Sequence, residues 1–135
     1  MSRCLLTGAA GVAAILVTMQ SADAAPFEDV YAFGDSLADC CFSGRFTQGD
    51  TPTWVDLLPP LIGATYVPTR ETNLAVGGAQ SGATNVAPGT DDAFGFLTGF
   101  TSQIARFAAS PLATTIEAAD IAVIWVGTND VWAAP

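Results

Sequence analysis

The sequence predicts an α/β fold in which helices cover a parallel sheet, and three observations carry this prediction. Residues 28–33 are rich in strand-forming side chains. Residues 121–126 form a continuous β-branched run, typical of a strand buried on both faces of a parallel sheet. Between them lie segments with apolar residues at helical spacing. This alternation favours a layered domain with right-handed crossovers.

The first part of this domain alternates a strand, a loop and a helix. The strand at residues 28–33 ends at Gly34, because glycine punctuates strand-like runs. Residues 39–53 are rich in Gly, Ser, Thr, Asp and Pro, which predicts a loop. Residues 54–58 carry apolar side chains at helical spacing. We expect residues 59–60, both proline, to stop that helix.

The later part contains a glycine-rich loop and a longer helix. Residues 64–67 are a brief candidate strand, and residues 73–90 are a small-residue loop whose backbone can approach a ligand closely. Residues 96–109 predict a helix that Pro111 follows. Its expected buried stripe consists of Phe96, Phe100, Ile104 and Phe107.

Two of the strands end in polar tetrads that begin with glycine. Residues 34–37 read Gly-Asp-Ser-Leu, and residues 127–130 read Gly-Thr-Asn-Asp. Ligand sites in parallel sheets form beyond the carboxyl ends of the strands. We therefore expect both tetrads at one edge of the sheet, although each taken alone could be an ordinary turn or a helix cap.

Composition limits the classes of function. A chain of 135 residues has room for one domain at most, and 50% hydrophobic residues suffice for a core. With 13 acidic and 4 basic residues the net charge is −9, which argues against binding nucleic acid or an anionic membrane surface. A phosphate or nucleotide site in the glycine-rich loop is disfavoured, because the sequence lacks G-x-x-x-x-G-K-[ST] and any lysine.

Residues 1–24 have the pattern of a secretory signal peptide. Arg3 gives a positive start, an apolar run follows, and Ala22 and Ala24 offer a cleavage site. A transmembrane anchor is the rival interpretation, but the run is shorter than the ~20 residues that span a bilayer. We expect residues 25–135 to be exported to the periplasm or secreted, without a membrane-spanning segment in the mature part.

We expect neither a metal site nor a cofactor. The sequence has no histidine and no second pair of cysteines that could complete a metal site. Cys4 leaves with the signal peptide, so Cys40 and Cys41 have no other partner in the mature chain. Adjacent cysteines rarely bridge each other, because a disulfide favours Cα atoms about 5.5 Å apart.

Four stretches, taken together and in order, are more specific than any one of them. They are residues 33–37 (Phe-Gly-Asp-Ser-Leu) followed by Asp39, residues 44–46 with 54–56 (Gly-Arg-Phe, Trp-Val-Asp), residues 73–79 (Asn-Leu-Ala-Val-Gly-Gly-Ala), and residues 127–130. They resemble the GDSL or SGNH hydrolases, here their secreted bacterial and plant-lipase-like branches, over nearly all of the mature chain. The resemblance implies a three-layer α/β/α flavodoxin-like parallel sheet and a serine esterase or lipase.

The resemblance also implies roles for individual residues. Ser36 is the nucleophile that becomes acylated by a carboxylic ester. The oxyanion is held by the backbone N–H groups of Ser36 and Gly78 and by the side-chain amide of Asn129. Gly77 is the alternative to Gly78. The implied partner is a small-molecule or lipid ester, with no metal and no cofactor.

The other residues near these stretches are interpreted as structural. Three acidic residues are expected to be turn or cap residues: Asp35, Asp39 and Asp130. Arg45 is expected to form a structural ion pair. Trp125 and Trp132 are expected to pack in the core rather than to form an acyl pocket.

The sequence departs from the family in one chemical respect. The family supplies its general base from an Asp-x-x-His motif, and this sequence has no histidine and no lysine. We therefore expect the N-terminal part of a longer hydrolase domain, without its C-terminal strands and helices, and inactive alone. Residues 121–126 would leave an unpaired, aggregation-prone edge. The alternative is a non-catalytic exported interaction protein on the same scaffold.

Overall fold

The computed structural model describes residues 27–133, and two parallel strands form its centre. Strand β1 spans Val30–Gly34 and strand β2 spans Ile121–Trp125. Their register runs from Val30 opposite Ile121 to Gly34 opposite Trp125, so the two carboxyl ends lie side by side. The predicted mixed α/β fold with a parallel sheet is confirmed.

Four α-helices and two short 3₁₀ helices surround these strands among the described residues. The α-helices are α1 (Trp54–Ile62), α2 (Thr90–Phe94), α3 (Phe100–Ala108) and α4 (Thr128–Ala133). The 3₁₀ helices are Gln48–Asp50, inside the predicted loop, and Pro111–Thr114. No described helix has the length and the apolar character needed to cross a bilayer. The predicted signal peptide lies outside the described residues.

The other edge of β1 is occupied by an extended segment that the sequence had suggested was loop. The Ala32 N–H donates to the Thr72 carbonyl at 2.8 Å, and the Leu74 N–H donates back to the Ala32 carbonyl at 2.8 Å. The candidate strand at residues 64–67 is reduced to a single bridge, in which Thr65 pairs with Asp29. A strand needs a longer run of paired residues than the chain provides there.

Helix α1 continues through both prolines, so the prediction that they stop it was wrong. Thr53 and Asp56 form a capping box at its start, in which the Thr53 N–H donates to Asp56 at 2.7 Å. Pro59 is buried. The fixed φ of proline is compatible with a helix, although each proline removes one N–H donor. The helix ends at Gly63, where the Ala64 N–H donates to the Pro59 carbonyl at 2.9 Å.

Helix α3 begins at Phe100, later than predicted, and the predicted stripe is buried only in part. Phe107 packs against Tyr31 and Phe33 of β1, with ring centroids 5.0 and 5.4 Å apart, and Phe100 packs against the same cluster. Ile104 is 40% exposed, and Gln103 takes the buried position beside it. The face is set by the contact with β1, which the apolar spacing alone did not specify.

The core lies on both faces of β1. One cluster joins Val30 and Ala32 to Val55 and Val123, and the other joins Tyr31 to Phe107. Strand β2 is far less buried, because Ile124 and Trp125 are 50% and 48% exposed. Burial of β2 on both faces was therefore predicted wrongly for the described part of the chain, in which β2 pairs with β1 alone.

Cys40 and Cys41 form a disulfide with their Cα atoms 3.7 Å apart. The expectation that these neighbours would not bridge each other was wrong. Both lie in a tight turn, in which the N–H groups of Cys41, Phe42 and Ser43 all donate to the Asp39 carboxylate. The chain thus bends sharply at the residues that form the bridge.

Candidate active site

Ser36 lies in a turn directly after β1, which we call the serine turn (residues 34–39). The N–H groups of Ala38 and Asp39 both donate to the Asp35 carbonyl at 3.0 Å, which closes the turn. The Ser36 side chain is half-buried at the carboxyl end of β1. The hydroxyl therefore stands at the sheet edge that the sequence predicted.

Gly34 and Gln103 fix the start of the serine turn. Gly34 has φ of 142°, and a Cβ there would collide with the Trp125 carbonyl of the neighbouring strand. The Gln103 side chain accepts the Gly34 N–H at 2.8 Å and donates to the Gly34 carbonyl at 2.8 Å. Sequence reasoning missed Gln103. Its signal was a polar residue at helical spacing between Phe100 and Phe107.

Asp35 is a buried turn residue, as predicted. One of its carboxylate oxygens accepts the Leu37 N–H at 3.1 Å, and the other has no partner among the described residues. Burial raises the pKa of Asp35, the Leu37 hydrogen bond lowers it in part, and the charge of Asp130 raises it further.

A second segment, the glycine loop (residues 76–79), lies beside the serine turn. Gly78 has φ of 81°, and a Cβ there would collide with the Asn85 carboxamide. The Gly77 N–H already donates to Asp39 at 2.9 Å. The N–H groups of Ser36 and Gly78, by contrast, make no hydrogen bond with any residue that the structure describes. Of the two glycines, Gly78 is thus the one with an N–H available to a ligand.

Two asparagines hold the glycine loop in place. The Asn73 side chain donates to the Ala38 carbonyl of the serine turn at 2.7 Å, which ties the two segments together. The Asn85 side chain donates to the Gly77 carbonyl at 2.8 Å from the other side. The loop is therefore fixed from both directions.

Asn129 reaches the glycine loop from the first turn of α4. Its side-chain amide donates to the Ala79 carbonyl at 2.9 Å, and a carboxamide has a second N–H to offer. The structure thus brings the three predicted segments, those of Ser36, Gly78 and Asn129, to one edge of the sheet.

Asp130 lies in the first turn of α4, where a cap residue was predicted, but its main partner lies in another segment. Its carboxylate instead accepts the Ser81 N–H at 2.9 Å and the Ser81 hydroxyl at 2.7 Å, across to the chain after the glycine loop. The hydrogen bonds from Ser81 lower the pKa of Asp130. A partner that lies 49 residues away in the same chain has no local sequence signal.

An apolar cleft of about 360 Å³ opens next to Ser36. The rings of Trp54 and Trp125 lie against each other in its lining, tilted by 56° with their centroids 6.2 Å apart. The prediction that Trp125 and Trp132 pack in the core was wrong, because Trp125 lines this cleft and Trp132 is 84% exposed. The lining consists of Ser36, Leu37, Phe46, Thr47, Pro52, Thr53, Trp54 and Trp125.

Arg45 forms the structural ion pair that was predicted. Its guanidinium donates to both carboxylate oxygens of Asp56 at 3.0 Å. Burial raises the pKa of Asp56, but the hydrogen bonds from Arg45 and Thr53 outweigh it, and the net pKa is lowered. The pair fixes the chain that forms one wall of the cleft at Phe46.

Within the described residues, a serine on the turn after a parallel strand lies near N–H groups without acceptors, and serine acyl transfer requires a hydroxyl and donors of this kind. The chain belongs to the GDSL-like Lipase/Acylhydrolase family, whose model matches residues 32–135. The matched range includes Ser36, Gly78 and Asn129. A comparison with curated proteins found no match. The protein is thus a member of a hydrolase family.

Proposed function

We propose that this chain carries the nucleophile and the oxyanion donors of an ester hydrolase. The supporting observation is that Ser36 stands beside two backbone N–H groups without acceptors in the described part of the chain, its own and that of Gly78. The Ser36 hydroxyl attacks the ester carbonyl, the alcohol leaves, and water releases the acid from the acyl-serine. Each donor can stabilise the transition state by about 2.7–4 kcal/mol.

In the proposed reaction, the general base is not one of the residues of this sequence. A serine hydroxyl needs a neighbouring base, and the sequence contains no histidine. The tyrosines are poor substitutes, since burial raises the pKa of Tyr31 and raises that of Tyr66 to about 12. The chain alone is expected to be nearly inactive.

We further propose that the base is carried by further sequence of the same domain, docked at the open edge of β2. This is supported by the exposure of Ile124 and Trp125 and by the pairing of β2 with β1 alone among the described residues. The downstream DNA translated in all frames should encode an Asp-x-x-His motif. Its absence from every frame would contradict this part of the proposal.

An external base provides the direct test of the nucleophile. The hydrolysis of p-nitrophenyl butyrate is measured at increasing imidazole concentration for the wild type and for Ser36→Ala. The variant is needed because imidazole alone also hydrolyses the ester in solution. We expect a difference between the two proteins that grows with imidazole. Equal rates would contradict the role of Ser36, and rapid Ser36-dependent hydrolysis without imidazole would contradict the missing base.

The substrate is proposed to be an ester with an apolar acyl or aryl group. Ser36 lines this cleft together with Trp54 and Trp125, so a group bound there has its ester bond next to the hydroxyl. A volume of about 360 Å³ falls within the range of small-molecule pockets. Acetate esters, which leave most of the cleft empty, should react more slowly than butyrate esters.

A non-catalytic interaction protein is the second candidate, and the lack of histidine is the observation that favours it. Such a protein would be monodisperse alone and would show no Ser36-dependent hydrolysis with imidazole. Gel filtration of the purified chain together with the imidazole assay separates the two candidates.

We also propose that the protein is exported, on the strength of the signal-like pattern at residues 1–24. N-terminal sequencing of the protein recovered from the periplasm or the medium should give Ala25 as the first residue. Recovery of uncleaved protein from the cytoplasm alone would contradict export.

A further inference from the structure

Asp39 has more hydrogen bonds than a turn residue requires. Its carboxylate accepts four backbone N–H groups and is 0% exposed. Three of them belong to the turn that follows, at Cys41, Phe42 and Ser43, with distances of 2.9, 3.0 and 2.9 Å. Those three fit the predicted role in the turn, which is thereby confirmed.

The fourth N–H comes from a distant part of the chain. The Gly77 N–H donates to the same oxygen that accepts Ser43, at 2.9 Å, although Gly77 is 38 residues further along. Asp39 itself belongs to the serine turn, since its N–H donates to the Asp35 carbonyl at 3.0 Å. One buried carboxylate therefore joins the serine turn to the glycine loop.

We propose that Asp39 is a positioning residue, which sets the place of the Gly78 N–H relative to the Ser36 hydroxyl. The inference rests on the proposed function, because it concerns the same oxyanion donors. By holding the Gly77 N–H, Asp39 fixes the Val76–Gly77 peptide, which adjoins the peptide that carries the Gly78 N–H, and the Gly78 N–H has no acceptor among the described residues. A carboxylate suits this position because it accepts several N–H groups and donates none.

Asp39→Asn removes one of the two accepting oxygens, so two of the four N–H groups lose their acceptor. Ser43 and Gly77 share one oxygen, so faster exchange at Ser43 reports the orientation in which Gly77 has lost its acceptor. The glycine loop then shifts relative to Ser36. A displacement of about 1 Å at a reacting group can cost about 100-fold in rate.

The matched control is Asp120→Asn at the other end of the strands. Asp120 also accepts two backbone N–H groups, those of Asp29 at 3.0 Å and Glu117 at 2.9 Å. Asp120 precedes β2, whereas the serine turn follows β1, so Asp120→Asn removes carboxylate–backbone hydrogen bonds at the opposite end of the strands from the site. If Asp39→Asn does not fold, Asp39→Glu takes its place, because it keeps the charge and displaces the oxygens by one methylene.

Amide hydrogen exchange followed by NMR tests the link without any catalysis. We expect the Gly77 amide to exchange at least about 10-fold faster in the Asp39 variant, the fold-change for about 1.4 kcal/mol of lost protection, and to be unchanged in Asp120→Asn. If only Cys41, Phe42 and Ser43 exchange faster while Gly77 does not, Asp39 is a turn residue alone and the inference is overturned.

Ligand binding tests the consequence for the site. Phenylboronic acid forms a tetrahedral adduct on serine that needs the oxyanion donors, whereas toluene fills only the apolar cleft. For the Asp39 variant we expect affinity for the boronic acid to fall by about 10- to 100-fold with toluene affinity unchanged. Equal losses for both probes would mean general damage and would overturn the inference.

The two proposals fail in different ways. If the wild type binds phenylboronic acid no better than Ser36→Ala does, the proposed function fails, and the exchange of Gly77 still decides whether Asp39 positions the loop. If the wild type binds in a Ser36-dependent manner and Asp39→Asn binds equally well, only the positioning role is overturned.

Discussion

The serine turn with the glycine loop differs sharply from the region formed by β2 and α4. In the first region, buried side chains such as Asp39 and Gln103 bind backbone groups on both segments. In the second, Trp125 and Trp132 are exposed, and Asn129 is held by one hydrogen bond to Ala79. Within the described residues, the proposed nucleophile Ser36 and the proposed donor Gly78 are held by buried side chains, whereas the proposed donor Asn129 lies on a more exposed helix.

The largest effect is expected from Gln103→Leu in the first region. It leaves the Gly34 N–H and the Thr98 carbonyl without their partner and removes one of the two donors to the Gly34 carbonyl, which keeps the Val76 N–H. Each unsatisfied buried group costs about 1–3 kcal/mol, so the free energy of unfolding should fall by about 3 kcal/mol or more. Urea denaturation measures it.

The matching replacement in the second region is Trp132→Ala. Because Trp132 is exposed, removing its side chain should change the free energy of unfolding by less than about 0.5 kcal/mol. Similar losses for Trp132→Ala and Gln103→Leu would contradict the difference between the two regions.

Asn129→Ala should have the next largest effect, on rate rather than on stability. Removing one oxyanion donor lowers kcat by about 100- to 1000-fold, measured as Ser36-dependent hydrolysis of p-nitrophenyl butyrate with imidazole. The free energy of unfolding should fall by only about 1 kcal/mol, for the lost hydrogen bond to Ala79. Thr128→Ala, at the exposed neighbouring residue, is the control. An equal loss of rate in this variant would contradict the proposed role of Asn129 as an oxyanion donor.

Trp125→Ala should change which esters are preferred. Trp125 forms one wall of the cleft, so its removal should reduce kcat/KM for butyrate esters by about 10-fold. This is the size of effect expected when a hydrophobic pocket loses contact with about one methylene group of the substrate. Acetate should be affected less, and the ratio of the two esters reports the change. Trp132→Ala, which does not line the cleft, should leave the ratio unchanged.

The smallest effect is a change in pH dependence at Asp35. Its pKa is raised by burial, so its contribution to stability is fully present below the unfolded pKa near 4 and is lost as the pH rises through the folded pKa. Relative to the wild type, Asp35→Asn should therefore gain stability as the pH rises from about 4 towards neutrality. Urea midpoints across this range measure the difference.

Asp130→Asn should change the pH dependence of stability in the opposite direction to Asp35→Asn, and it serves as the control. The pKa of Asp130 is lowered by Ser81, so its contribution is present above the unfolded pKa and is lost as the pH falls through the folded pKa. A difference curve for Asp35→Asn that is flat or has the slope of Asp130→Asn would contradict the burial argument.

The sequence predicted the parts of the site that have local signals. Two apolar runs ending in glycine predicted parallel strands, and the tetrads that follow them predicted that Ser36 and Asn129 share an edge. The partners of these residues were not predictable in the same way. Gln103 binds Gly34 across 69 residues and Asp39 binds Gly77 across 38, and tertiary packing alone selects such pairs.

Exposure was also misjudged for a physical reason. Large aromatic residues in an apolar run indicate burial on average, but whether Trp125 is covered depends on the neighbours that β2 receives. The prolines of α1 show the same limit, because their local preference to end a helix was overridden by the packing of Pro59.

A crystal structure of the chain with phenylboronic acid tests the central claim most directly. The account predicts boron bonded to the Ser36 hydroxyl oxygen, with one boronate oxygen about 2.7–3.1 Å from the Gly78 N and the Asn129 side-chain nitrogen. Boron bound elsewhere, or its oxygen pointing away from both donors, would contradict the account.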